Sequence, residues 1–122
     1  MKYRDLKVWQ KAMDLTDAVY LTTGRFPSNE QFGLCSQLRR AAVSVPSNIA
    51  EGHGRKYTNA YMNHLSIAFG SLMEVETLIA ISLRQNYLDQ ALADALLART
   101  NEIGKMLSGL QKSLKIKVDD PL

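Results

Sequence analysis

Apolar side chains recur along this chain every three or four residues, and this spacing constrains the fold more than any other feature of the sequence. Near the start it is carried by Val8, Ala12, Leu15 and Val19, which lie on one face of an α-helix. The pattern covers four segments, at residues 5–23, 30–51, 58–85 and 89–114. No segment alternates as a half-buried strand does. The sequence therefore predicts four long helices.

The connections between these segments are short. Gly24 and Pro27 end the first segment, and Asn86 with Tyr87 separates the third from the fourth. Helices joined by short connections pack as antiparallel neighbours. The sequence thus predicts an all-α fold, an antiparallel up-and-down four-helix bundle over residues 1–115, with a C-terminal tail at 116–122. A chain of 122 residues suits one domain with one core.

The composition is that of an ordinary soluble protein, with 46% hydrophobic and 22% charged residues. No run approaches the roughly 18 apolar residues of a membrane helix, and the start MKYRDLKVWQKAM is too charged for a secretory signal. The lone cysteine, Cys35, cannot form an intrachain disulfide and fits a reducing compartment. These features predict a cytoplasmic protein with no membrane segment.

Two charged residues interrupt the apolar patterns of the third and fourth helices. Glu76 and Arg99 stand where apolar residues are expected, at similar distances from the turn near Asn86. Burying one charge alone is costly, whereas a hydrogen-bonded pair roughly offsets its desolvation. The sequence predicts a structural ion pair between Glu76 and Arg99 that fixes the register of the two helices.

The stretch RAAVSVPSNIAEGHGRK, residues 40–56, combines a proline with two glycines. Pro46 removes one helix hydrogen bond and predicts a bend in the second helix, with nearby serine or asparagine side chains satisfying the freed backbone groups. Gly52 is placed to end that helix in the left-handed conformation. We interpret the stretch as a bent helix, its stop signal and a basic turn.

The residues that catalysis needs form no recognised pattern. His53 and His64 lack partners at zinc-ligand spacing. Cys35 falls at the edge of an apolar stripe, where a thiolate is disfavoured. The segment GHGRK lacks the spacing of a phosphate-binding loop and follows no strand. The sequence predicts no enzyme activity, no metal and no cofactor.

Basic residues make the better functional case. The net charge is +3, and the first half of the chain (1–61) carries nine Lys and Arg against five Asp and Glu. The candidate nucleic-acid-binding residues are Arg40, Arg55, Lys56, Lys105, Lys112 and Lys115. The alternatives are a solvated surface with a favourable helix-dipole arrangement, or contacts between subunits.

Two segments carry a resemblance to a known family. LRRAAVSVPSNIAEGHGR followed by YMNHLSIAFGSLMEVETLI resembles the bacterial four-helix-bundle family that includes proteins encoded in intervening sequences of 23S ribosomal RNA genes. The start RDLKVWQKAMDL is similar too. The resemblance implies a ring-like homo-oligomer, a homopentamer, and a distant similarity to the accessory protein of diversity-generating retroelements, which binds nucleic acid and a reverse transcriptase. It implies no known enzymatic activity.

These observations lead to a functional hypothesis with one alternative. The hypothesis is a non-enzymatic homo-oligomeric bundle that binds nucleic acid, RNA in particular, through its basic patches. Five copies of a +3 chain would carry about +15 in total, which favours contact with a polyanion. The alternative is a protein-interaction scaffold that docks a partner such as a polymerase or reverse transcriptase.

Overall fold

Four long helices account for most of the chain. The computed structural model describes residues 1–119, with side chains to Lys117. The helices are α1 (Lys7–Thr23), α2 (Leu34–His53), α3 (Thr58–Arg84) and α4 (Gln90–Asp119). Short 3₁₀ turns at Tyr3–Asp5 and Ser28–Glu30 precede α1 and α2. The described residues contain no strand, so the predicted all-α fold with four helices is confirmed.

Each helix contributes one apolar face to a single core. Helix α1 packs on α2, α2 on α3, α3 on α4, and α4 back on α1, so the four helices enclose a square. The large side chains that are fully buried come from all four helices and include Leu15, Leu38, Ile49, Leu65, Leu72, Ile79, Leu96, Ile103 and Leu107. An apolar stripe of period 3.6 can be buried along its whole length only against such neighbours.

Two contacts between side chains show in which directions the helices run. Lys11 Nζ, early in α1, lies 3.4 Å from Glu102 Oε1 near the middle of α4. Gln111 Nε2, late in α4, donates to Ser66 Oγ, early in α3, at 3.2 Å. Neighbouring helices therefore run antiparallel, and the α2–α3 connection lies at the same end of the bundle as the start of α1 and the last turns of α4.

The opposite end holds the α1–α2 and α3–α4 connections, and one tyrosine joins them. Tyr87 Oη donates to Glu30 Oε2 at 2.9 Å, and its ring lies 5.5 Å from that of Phe26. Asn86 makes the turn with φ 63°, a conformation that asparagine tolerates better than most residues. Asp89 Oδ1 then accepts from the Leu92 N–H at 2.8 Å and caps α4.

Helix α4 is longer than its apolar pattern predicted. It continues to Asp119, so the first four residues of the predicted 116–122 tail are helical. Residues 120–122 of that tail lie outside the described residues. The exposed Lys115, Ile116 and Lys117 carry no apolar stripe, and a helix that is already formed extends at low cost because each added residue gains a hydrogen bond.

Pro46 lies inside α2 without ending it. A proline leaves the carbonyl four residues earlier without its helix partner, and here that carbonyl belongs to Ala42. Thr16 Oγ1 of α1 donates to the Ala12 carbonyl at 2.9 Å and lies 3.3 Å from the Ala42 oxygen, so the neighbouring helix, and not α2 itself, offers the freed carbonyl a shared and weak polar contact. A bend at Pro46 stays a prediction.

Glu76 and Arg99 do not form the predicted ion pair. Glu76 is half-buried, and its Oε2 accepts from Thr100 Oγ1 at 2.8 Å. Arg99 is exposed, because one residue along a helix of 3.6 residues per turn rotates the side chain by about 100°. The predicted position of the contact along α3 and α4 was right, but the partner of Glu76 is the neutral hydroxyl of Thr100, the residue after Arg99.

Helix α3 is more apolar than its sequence pattern indicated. By length and composition it could cross a membrane, with a mean hydropathy of 1.5 over its best window, of which 39% is buried inside the protein. Core helices of bundles meet the same measure, and α3 packs against both α2 and α4. The protein is thus all-helical with one marginally apolar helix, and this gives no firm sign of a membrane location.

The Glu76–Thr100 contact predicts unequal effects of two adjacent substitutions. Thr100 is fully buried, so Thr100→Val leaves the half-buried Glu76 without its donor and lowers the free energy of unfolding by about 1–3 kcal/mol. Arg99→Ala removes only an exposed charge and changes it by less than about 0.5 kcal/mol. Urea denaturation of both variants checks this. A larger loss of stability for Arg99→Ala would restore the ion-pair hypothesis.

Candidate nucleic-acid interface

The antiparallel arrangement gathers positive charge at one end of the bundle. We call this the basic end and define it as residues 1–10, 51–60 and 111–117, which come from the start of α1, the α2–α3 connection and the last turns of α4. Its eight basic residues are Lys2, Arg4, Lys7, Arg55, Lys56, Lys112, Lys115 and Lys117, against Asp5 and Glu51 within these ranges and Asp119 at the end of α4. Residues 21–34 and 80–95 at the opposite end hold two basic and three acidic residues.

Helix dipoles do not produce this charge. The basic end holds the N-termini of α1 and α3 but also the C-termini of α2 and α4. Because the partial charges at the two kinds of terminus have opposite signs, they largely cancel in an antiparallel bundle. The positive potential at the basic end therefore comes from its lysine and arginine side chains.

Four of the six predicted binding residues meet at the basic end, and two lie elsewhere. Arg55 and Lys56 are exposed in the α2–α3 connection, and Lys112 and Lys115 are exposed on α4. Lys105 lies further along α4. The sixth, Arg40, is in the first half of α2, far along that helix from the basic end.

A groove between α3 and α4 connects Lys105 with Lys112. It has a volume of about 520 Å³, and its lining includes both lysines and one carboxylate, Glu76, together with Gly104, Gly109 and Phe69. A second hollow lies beside it and shares Phe69. Gly109 has no atom near the position of a Cβ, so the groove is open to solvent there. Two lysines along an open groove can follow an extended polyanion.

The α2–α3 connection is held by a chain of side-chain hydrogen bonds that sequence reasoning missed. Arg55 Nε donates to His64 Nε2 at 3.2 Å, and His64 Nδ1 lies 3.0 Å from Asn48 Oδ1. Asn48 Nδ2 donates to the Ser44 carbonyl at 2.9 Å, and Ser44 Oγ lies 2.8 Å from Ser71 Oγ. This polar chain joins α2 to α3 along their contact and reaches the surface at Arg55.

Gly52 lets α2 and α3 approach closely beside this polar chain. A Cβ on Gly52 would lie 2.8 Å from His64 Cβ and 2.9 Å from Tyr61 Cδ1, far inside van der Waals contact. Gly52 is buried within α2 and has no positive φ, and the helix ends at His53 with Gly54 after it. The prediction that Gly52 stops the helix in a left-handed conformation is wrong; the glycine serves helix–helix packing.

One exposed aromatic side chain accompanies the basic residues. Tyr57 is 69% exposed, and Lys56 Nζ lies 5.7 Å from the centre of its ring. Exposed aromatic rings beside cations are the usual platform for stacking single-stranded bases. Tyr57 and the N-terminal cations were missed because no motif within one segment marks them as binding residues. The predicted antiparallel topology nevertheless implied that the start of α1, the α2–α3 connection and the end of α4 meet.

A second exposed surface, apolar rather than charged, lies on α1, α2 and the connection between them. We call it the apolar face and define it by Met13, Tyr20, Phe32 and Val43. Phe32 is 90% exposed and Tyr20 46%. Tyr20, Phe32 and Val43 line a groove of about 640 Å³ with Arg39 and Arg40, and Met13 and Val43 line a neighbouring one of about 320 Å³. Contiguous apolar patches of this kind mark interaction surfaces.

The two arginines beside the apolar face have different roles. Arg39 Nε donates to Thr23 Oγ1 at 2.8 Å, and its guanidinium lies 4.6 Å from the centre of the Tyr20 ring, so it joins α2 to the end of α1. Arg40 is exposed and, among the described residues, has no carboxylate within ion-pair distance. Arg40 is therefore available to something outside the chain.

The one cysteine of the chain, Cys35, stands apart from both surfaces. Cys35 is buried, its Sγ donates to the Thr23 carbonyl at 3.4 Å, and burial raises the pKa of its thiol. Within the part of the chain that the structure describes, no three His, Cys, Asp or Glu side chains are placed to hold a metal ion. Nothing in these groups points to catalysis.

Fold and surfaces together define an all-helical four-helix bundle with a basic end and an exposed apolar face. Residues 4–109 match the family of 23S rRNA-intervening sequence proteins. Because the match spans most of the chain, the protein belongs to this family, as its sequence segments suggested.

A solved structure has the same fold. It is the crystal structure of a protein with unknown function from the S23 ribosomal protein family, from Bacteroides thetaiotaomicron, with a TM-score of 0.78. The two share 21% sequence identity over 86% of this chain and 98% of that chain. At this identity the likeness concerns the fold alone. No curated protein matches the chain.

The packing at Gly52 predicts a position-specific response to alanine. Gly52→Ala places a methyl group against Tyr61 and His64 and lowers the free energy of unfolding by about 1–3 kcal/mol. Gly70→Ala on α3 is the matched control, because nothing lies near its Cβ position, and the gain in helix propensity raises stability by up to about 1 kcal/mol. Urea denaturation measures both. Equal effects at the two positions would contradict the close approach of α2 and α3.

Proposed function

We propose that this protein is a non-enzymatic, cytoplasmic homo-oligomeric bundle that binds RNA through the basic end. The observation that carries the proposal is the convergence of eight lysines and arginines from three separate stretches of chain at that end. A dense cluster of one sign attracts a polyanion and releases its counterions on binding. Membership of a family described by its link to 23S rRNA intervening sequences is compatible with an RNA ligand.

The binding mode that fits this surface is sequence-tolerant. Lysines on flexible stems contact phosphates as point charges and carry no sequence information. The exposed Tyr57 ring offers stacking to any base. The groove lined by Lys105 and Lys112 extends the positive surface along α4. Together these features favour a single-stranded or structured RNA held mainly through its backbone.

Assembly into a ring would strengthen the attraction between the basic ends and RNA. We infer that the apolar face is the contact between subunits of a homo-oligomer, a pentamer as the family resemblance implies. Its support is the exposure of Phe32, Tyr20, Met13 and Val43 on neighbouring elements, beside the exposed Arg40. In a closed ring, equivalent basic ends would lie side by side, so one RNA molecule could touch several.

The alternative function is a protein-interaction scaffold. The 90% exposure of Phe32 next to Arg40 also fits a partner protein, such as a polymerase or reverse transcriptase, docking on the apolar face. In that case the basic end would aid solubility or contact the partner's nucleic acid. The two functions differ in what the apolar face binds and in whether RNA binds without a partner.

The basic-end proposal predicts salt-dependent RNA binding. The affinity for a fluorescent oligouridylate, measured by anisotropy, should fall steeply between about 50 and about 200 mM salt. Replacing Lys56, Lys112 and Lys115 with glutamine should weaken binding and lower the salt slope by about 0.7 for each phosphate that is no longer neutralised.

Two arginines at the opposite end provide the control. Arg25 and Arg84 are exposed, and replacing both with glutamine also lowers the net charge but leaves the basic end intact. This variant should bind RNA nearly as the unmodified protein does. Absent or salt-insensitive RNA binding would reject the proposal, and an equal loss of affinity in the control would show that only total charge matters.

The apolar-face proposal predicts the mass in solution. Light scattering should give an oligomer for the unmodified chain, and Phe32→Ser with Val43→Asp should give a monomer, because two polar side chains replace the apolar area that the contact would bury. Both positions are exposed, so the helical circular dichroism should not change. Ile67→Ser with Ile81→Asp on α3 is the control and should keep the oligomer. A monomeric unmodified chain that captures a protein partner through Phe32 would favour the scaffold instead.

A further inference from the structure

We propose that His64 is a positioning residue that holds the Arg55 guanidinium so that it grips a single RNA phosphate with its two terminal nitrogens. This inference rests on the proposed RNA-binding function and names one contact within the basic end. It assigns to His64 a role in ligand binding that differs from both metal ligation and general packing. The evidence is the direction of the hydrogen bonds between Arg55 and the interior of the α2–α3 contact.

The first bond of the polar chain fixes the tautomer of His64. The Nε of arginine always carries a hydrogen, so in the 3.2 Å contact Arg55 Nε donates and His64 Nε2 accepts. A neutral imidazole that accepts at Nε2 carries its proton on Nδ1. His64 Nδ1 therefore donates to Asn48 Oδ1 at 3.0 Å. The carboxylate of Glu51 lies further away, with Oε2 3.7 Å from the same Nδ1.

The remaining hydrogen bonds of the polar chain agree with His64 donating from Nδ1. With its oxygen accepting from His64, Asn48 has its nitrogen free to donate, and that nitrogen lies 2.9 Å from the Ser44 carbonyl and 3.1 Å from Ser44 Oγ. Ser44 Oγ in turn lies 2.8 Å from Ser71 Oγ on α3. Each donor faces an acceptor along the whole polar chain. The imidazole is thus held on both sides, and its side chain is only 15% exposed.

Arg55 is the point where the polar chain reaches solvent. Its side chain is exposed, and neither terminal nitrogen has a hydrogen-bond partner among the described residues. These nitrogens are the pair that binds two oxygens of one phosphate in a fork. A long side chain that is already held at Nε loses less rotamer entropy when it binds. The interior of the bundle therefore preorganises a phosphate contact at its surface.

Lys56 is the natural comparison. It is the next residue, it carries the same charge, and it is exposed. Among the described residues it has no bond to His64, and its ammonium lies over the Tyr57 ring. The two neighbours thus differ in how they are held and not in how much charge they bring. Any effect of His64 on RNA binding should pass through Arg55 and leave the contribution of Lys56 unchanged.

The test is a double-mutant cycle in the full chain, with a fluorescent oligouridylate as the probe. Arg55→Ala should weaken binding by about tenfold, because it removes a charge-assisted forked pair of hydrogen bonds. His64→Leu should weaken it less, and the Arg55→Ala His64→Leu double variant should bind no more weakly than Arg55→Ala alone. His64→Gln should recover part of the affinity, because its amide oxygen again accepts from Arg55. In the matching cycle of His64→Leu with Lys56→Ala, the two losses of affinity should instead multiply.

A second substitution, at Arg55 itself, keeps the inference testable if His64→Leu does not fold. Arg55→Lys is exposed and keeps the charge but cannot form the fork, so it should weaken binding several-fold, while Lys56→Arg should not. Two results would make the inference wrong while the proposed function stands, provided that RNA binding is salt-dependent. In the first, the losses of affinity from Arg55→Ala and His64→Leu multiply in the double variant. In the second, Arg55→Lys binds RNA as well as the unmodified chain. If the unmodified chain binds no RNA, the inference and the proposed function are both wrong.

Discussion

The burial of one apolar stripe from each of four helices is the constraint on which every other feature of this protein depends. Antiparallel packing of the helices is the arrangement that short connections allow and that covers all four stripes at once. It decides which residues share an end of the molecule, which faces remain exposed and where polar side chains meet. The basic end and the apolar face are both consequences of this packing, because it brings helix faces and the short connections between helices together.

The helices and the core could be predicted from the sequence because a 3.6-residue period directly reports which face is buried. The helix limits were less accurate. Helix α4 continues past Leu114 to Asp119, since an existing helix is extended by further hydrogen bonds without an apolar signal. The level of Glu76 along the bundle was predicted correctly, but its partner was not. Thr100 falls on the spacing of the buried Leu96, Ile103 and Leu107 of α4, and Arg99 falls one residue off it. The period therefore favours Thr100, and the expectation of a charged partner for Glu76 was the error.

The candidate site could be predicted only in part. Arg55, Lys56, Lys112 and Lys115 were identified from their charge, and the topology places them at one end. Arg40 was grouped with them for the same reason, yet it lies beside the apolar face. The polar chain from Ser71 through Asn48 and His64 crosses from α3 to α2. Such a network depends on side-chain directions across a helix contact, which a single sequence does not reveal.

The close contact at Gly52 also bears on how the chain finds its structure. Where α2 passes Tyr61 and His64 there is room for a hydrogen atom but not for a methyl group. A shift of α2 by one residue, with the rotation of about 100° that keeps the same face towards α3, would put Glu51 or His53 in that space. Such an alignment is opposed by steric clash as well as by the loss of the polar chain. A single hydrogen-sized gap therefore favours one register of the two helices.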